Sequence, residues 1–92
     1  MSQLTGDQKR VKVLENVARK AGLRIVYGRP RIRSGACVYR GRGFVVIHKD
    51  SDAAARARLL ADVLAEQELD DTWLESDEVR EAIAEARERA SG

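Results

Sequence analysis

An α+β domain is expected here: an N-terminal helix, a small three-stranded, mostly antiparallel sheet containing a hairpin, and two C-terminal helices. Three observations predict it. Apolar residues recur every three or four positions at both ends of the chain, and β-rich runs bounded by glycine fill the middle. The 92 residues suffice for one domain spanning 1–92 and are too few for two.

The first helix is expected over residues 6–21. Thr5 and Gln8 have the spacing of a capping box, and Asp7 suits the first turn. Val11, Leu14, Ala18 and Ala21 form one apolar stripe, and Arg19, Lys20 and Gly22 close the helix. Strands follow over 23–27, 36–40 and 43–48. Pro30 keeps the stretch from Arg29 to Gly35 out of a ladder, so it reads as an extended loop. Gly41 and Arg42 fit a two-residue hairpin turn with Gly first, a register that sets Tyr39 opposite Phe44.

A second helix is expected over 52–69, capped within Asp50-Ser51-Asp52 and carrying Ala53, Ala57, Leu60, Val63, Leu64 and Gln67. Asp70-Asp71-Thr72 breaks it, and Trp73 and Leu74 anchor the connection. Ser76 caps a third helix over 77–90 with a thin stripe of Val79, Ala82, Ile83 and Ala86. So thin a stripe suggests a helix that docks on a second subunit or detaches to meet a partner. Arg58 with Asp62, and Glu85 with Arg89, have the i,i+4 spacing of solvated ion pairs.

The composition is 43% hydrophobic and 35% charged, with only Phe44, Trp73, Tyr27 and Tyr39 as aromatics, so the core must be aliphatic. No apolar run is long enough to span a bilayer, and the start from Met1 to Arg10 is too polar for a secretory signal. Cys37 stands alone, so no internal disulfide can form. These features fit a cytoplasmic protein.

The net charge of +2 conceals a strong segregation. Nine bases and no acid lie between Asn16 and Lys49, whereas thirteen acids against five arginines lie from Asp50 onward. In an extended segment Arg29, Arg31 and Arg33 share a face, and Arg40 and Arg42 crowd the hairpin. These five arginines are the candidate binding residues. A basic surface of this kind meets an acidic protein partner, pairs with acidic helices of its own fold or of a second copy, or binds nucleic acid phosphates.

No catalytic or metal-binding constellation is legible, and no cofactor is expected. Cys37 and His48 could approach across the hairpin, but no third residue orients them. Gly41 and Gly43 lack the spacing and the strand-to-helix setting of a phosphate loop. The run Arg42-Gly43-Phe44-Val45-Val46-Ile47 opens like the RNA-binding signature of an RRM, yet Val46 and Lys49 stand where further bases would stack.

In element order, residues from Leu23 to Leu69 resemble the compact zincin metalloprotease core. There Ala61-Asp62-Val63-Leu64-Ala65 takes the place of H-E-x-x-H. The resemblance implies an inactive relative, with alanines for both zinc-ligating histidines and Asp62 for the general-base glutamate. Ser34-Gly35-Ala36-Cys37, the hairpin, the capped helix and the acidic tail also resemble short uncharacterised bacterial proteins of about this length, which implies a bacterial origin and no activity. The resulting expectation is a non-enzymatic interaction module.

Overall fold

The computed structural model describes residues 6–28, 35–39 and 41–91, with 36–39 and 42 placed by their backbone. The order is α1 (Gly6–Lys20), β1 (Arg24–Gly28), β2 (Gly35–Tyr39), β3 (Arg42–His48), α2 (Ala53–Ala65), a single 3-10 turn (Asp71–Trp73) and α3 (Asp77–Ser91). Helix and strand content thus follows the α+β expectation.

Sheet topology does not. The strand order is β1-β3-β2, with β1 parallel to β3 and β2 antiparallel to it. The expected mostly antiparallel sheet is therefore a mixed one. The residues between β1 and β3, β2 included, supply the dozen or so that a parallel return requires. Central placement explains why Val45 and Ile47 of β3 are fully buried.

The hairpin register also differs. Tyr39 pairs with Arg42, Val38 with Gly43 and Cys37 with Phe44, so the pairing closes between 39 and 42, one residue earlier than the expected turn at 41–42. Gly41 carries φ +76°, which suits the second turn position and displaces the loop by one residue. Tyr39 consequently does not face Phe44. Cys37 and His48 do not approach as expected either, because β2 has already begun at Gly35 opposite Val46.

Helix ends follow local chemistry. Gly22, at φ +86°, lets the chain leave α1 and turn at once into β1, and Leu23 N–H donates to Ala18 O at 2.9 Å. The expected Thr5 cap lies outside the described residues. Asp52 caps α2, its carboxylate accepting from Ala55 N at 2.8 Å. The helix ends at Ala65 rather than residue 69, since the Glu66 N–H turns back to Leu64 and Val63 carbonyls and polar Gln67 and Glu68 follow. Asp70 caps the 3-10 turn through Thr72 N at 2.9 Å, and Ser76 Oγ accepts from Val79 N at 3.3 Å to start α3.

The core lies between one face of the sheet and the three helices. Leu14, Leu60, Leu64, Ile83, Val45 and Ile47 are its largest fully buried side chains, each worth about 1.5–3 kcal/mol of burial. Val79, Ala82, Ile83 and Ala86 of α3 are all buried within it, together with residues of α1 and α2. Small alanines let α3 approach closely, and its thin stripe completes the core of this chain.

At Gly43 an added Cβ would stand 2.7 Å from Leu23 Cδ2. Gly43→Ala should lower unfolding free energy by about 1 kcal/mol, because only the tip of a side chain has to move. Pairing it with Leu23→Val should recover part of that loss in urea denaturation, whereas on an independent pair of sites the two costs would add.

Candidate interaction surface

Helices α1 and α2 pack on one side of the sheet, and α3 packs against both of them. Register assigns each strand residue to a side, since parallel partners share a face. Ile25 pairs with Val45 and Tyr27 with Ile47, so these four point toward the helices. Arg24 pairs with Phe44, Val26 with Val46 and Gly28 with His48, so their side of the sheet faces away. Phe44 and Val46 are only half-buried and take no part in the core cluster, and Val26 is 42% exposed. No described element covers this apolar strip. Arg24 shares this side of the sheet, and Lys49 stands in the turn just beyond the end of β3.

The ion pairs bear on how the segregated charge is used. Lys9 meets Glu78 at 3.5 Å, Arg10 meets Glu85 at 3.7 Å, and Lys20 meets Glu75 at 3.9 Å. Arg19 meets Glu15 at 3.3 Å, and Arg89 meets Asp62 at 2.7 Å. Bases of α1 thus offset acids of α3 and its approach. The expected i,i+4 partners are exchanged for partners across helices, because α3 lies against both α1 and α2. Among the described residues Arg24 and Lys49 enter no ion pair. Each of these exposed bridges contributes about 0–1 kcal/mol, so they tune the bundle without holding it.

Of the five expected binding residues, Arg29, Arg31, Arg33 and Arg40 lie outside the described residues, and Arg42 is placed by backbone as the first residue of β3. The two ends of the 29–34 segment, Gly28 and Gly35, stand at the same end of the sheet, next to His48 and Val46. Val26 and the open side of β3 were not among the sequence candidates. Alternation along Arg24-Ile25-Val26-Tyr27 gives two faces, but which one the helices cover depends on tertiary packing.

A cluster at the carboxyl ends of β1 and β3 also escaped the sequence. The Tyr27 hydroxyl donates to Glu15 Oε1 at 3.0 Å, and Arg19 Nη2 lies 3.3 Å from Glu15 Oε2. The Arg56 guanidinium lies over the Tyr27 ring, 5.1 Å from its centroid. Its Nη2 donates to Lys49 O at 2.6 Å and its Nε to Ser51 Oγ at 3.4 Å, while Ser51 donates to His48 O at 2.6 Å.

Partial burial, followed by the hydrogen bond to the Glu15 carboxylate, pushes the Tyr27 phenol above its usual 10.0. A raised phenol pKa favours the folded state's neutral form. The unfolded chain therefore releases its proton first, and stability falls as pH rises beyond about 10. Tyr27→Phe should cost less than about 1 kcal/mol at pH 7, given the exposure of the ring, and should reduce that alkaline loss in urea melts at pH 7 and above 10.

Where the zincin resemblance would put a catalytic centre, Ala61 is buried in the core and Asp62 is bound by Arg89. Among the described residues no three His, Cys, Asp or Glu side chains converge as a metal set, and no helix is long and apolar enough to cross a membrane. No family model, curated protein or solved structure matches the chain.

Proposed function

We propose that this protein is a non-catalytic interaction module whose uncovered sheet side receives an acidic, partly apolar segment of another protein. The observation that carries the reading is the strip of Val26, Phe44 and Val46, with Arg24 on the same side and Lys49 just beyond the end of β3, two bases that enter no ion pair among the described residues. An apolar centre rimmed by one sign of charge suits a protein partner of opposite sign.

Charge argues against the other occupants. A two-fold pairing of copies would set this basic patch against itself, and basic sheet against acidic helices would be a head-to-tail contact that closes only for particular rotations. Nucleic acid binding draws most of its affinity from many phosphate contacts, whereas the centre of this strip is aliphatic. Among the described residues, Phe44 beside Arg24 favours a nucleic acid strand, through stacking.

A photo-crosslinking amino acid placed at Val26, with an exposed control at Ala84 on α3, separates these readings in extract of the native host. Nuclease-resistant adducts to a protein, formed at position 26 and suppressed by salt, are expected. Equal yields at both positions, adducts to a second copy of the chain, or adducts abolished by nuclease would refute the assignment.

A further inference from the structure

On the helix side of the sheet, a cavity of about 350 Å³ opens between α1, the end of β1 and the start of α2, lined by Gln8, Val11, Lys12, Glu15, Tyr27, Ser51, Ala53 and Arg56. Its volume is in the range of small-ligand pockets, and it lies outside the carboxyl ends of two parallel strands, where open α/β sheets bind ligands.

We infer that this crevice binds the oxyanion of a small molecule, a carboxylate or a phosphate, between Lys12 and Arg56. The argument runs through what each polar group already does. Glu15 has one oxygen on Tyr27 and the other on Arg19, so its charge is largely committed. Arg56 is held on three sides, by the Lys49 carbonyl, Ser51 and the Tyr27 ring, but those contacts use only Nη2 and Nε. Its Nη1 has no partner among the described residues, and a guanidinium fixed in this way loses little freedom on binding. Lys12, which also lines the crevice, enters no ion pair among the described residues.

Two uncommitted cationic donors thus face one half-buried opening, and charge-assisted hydrogen bonds from both suit a singly charged oxyanion. Val11 and Ala53 offer an apolar floor for a short aliphatic body. The crevice is on the far side of the sheet from Val26, so the two sites stand or fall separately.

The test is an amide NMR titration of the full chain with butyrate and, in parallel, inorganic phosphate, against chloride at matched ionic strength. Saturable shifts confined to Val11, Lys12, Tyr27, Ser51, Ala53 and Arg56 are expected, with a Kd of about 1–10 mM for the better anion. The stronger arm identifies which oxyanion the site takes. Lys12→Gln, at an exposed helix position that leaves the fold intact, should weaken binding about five- to tenfold. Arg56→Lys, which keeps the charge and removes the fork, should weaken it similarly. Absence of saturation by about 50 mM, shifts spread equally over Arg24, Lys49 and Arg87, or an unchanged affinity in Lys12→Gln would overturn the site.

Discussion

An aspartate in place of Ile83 leaves the whole chain unfolded at 25 °C. Ile83 is 2% exposed and sits in the core with buried residues of α1, α2 and the sheet. Removing its side chain alone, as in Ile83→Ala, costs about 2–5 kcal/mol. Aspartate adds the cost of burying a carboxylate with no partner, several kcal/mol more unless the group takes up a proton. A domain of this length has only about 5–14 kcal/mol to lose, on the usual 0.05–0.15 kcal/mol per residue.

Far-UV circular dichroism of Ile83→Asp should show loss of all helical signal in one step, and Ile83→Ala should melt cooperatively at a lower urea concentration with an unchanged slope. Loss of one helix's worth of signal, with the remainder still melting sharply, would show that α3 is an appendage. The thin apolar stripe invites that second picture. Packing decides otherwise, because Ala82 and Ala86 are small enough to bring α3 against its neighbours and bury Ile83 completely.

Helices were legible in the sequence because their causes are local. Leu14, Leu60 and Ile83 recur with apolar neighbours at helical spacing, and Asp52 and Ser76 announce two of the starts. Strand existence was also legible, from the β-rich runs around Ile25, Val38 and Val46. Pairing was not. Whether β1 lies beside β2 or β3 depends on how residues 29–34 return the chain, and nothing in the composition of Arg24–Gly28 distinguishes a parallel neighbour from an antiparallel one.

The hairpin shows a finer limit. Gly41 marks a turn, but glycine serves either turn position, and the choice moves every partner along β3. Segregated charge was legible as a count, whereas its use was not. That α1 offsets acids of α3 while Arg24 and Lys49 enter no ion pair among the described residues depends on tertiary distances. Glu15, Tyr27 and Arg56 come from three separate segments, so no spacing rule could have joined them.

Those two strand-end bases give the second large effect. The double variant Arg24→Glu with Lys49→Glu should weaken capture through the open sheet side about 30- to 100-fold at low salt. Each reversal removes an attraction of roughly 0.5–0.7 kcal/mol and substitutes a repulsion of similar size, so two together reach about 2–3 kcal/mol. Stability should hardly change, since neither side chain is paired within the fold among the described residues. Arg58→Glu with Arg87→Glu is the matched control: it makes the same change in total charge on the helical side.

Crosslinking yield at position 26, followed against partner concentration, reports both variants. Only the first should lose affinity, and raising the ionic strength to about 0.5 M should shrink the difference, because exposed charges are then screened within a few ångströms. An equal fall in the control would mean that overall charge governs association and that no particular surface is recognised. An unchanged affinity in the first variant would mean that the bases rimming Val26, Phe44 and Val46 meet no acids at all, leaving the apolar strip without the complementarity that points to its partner.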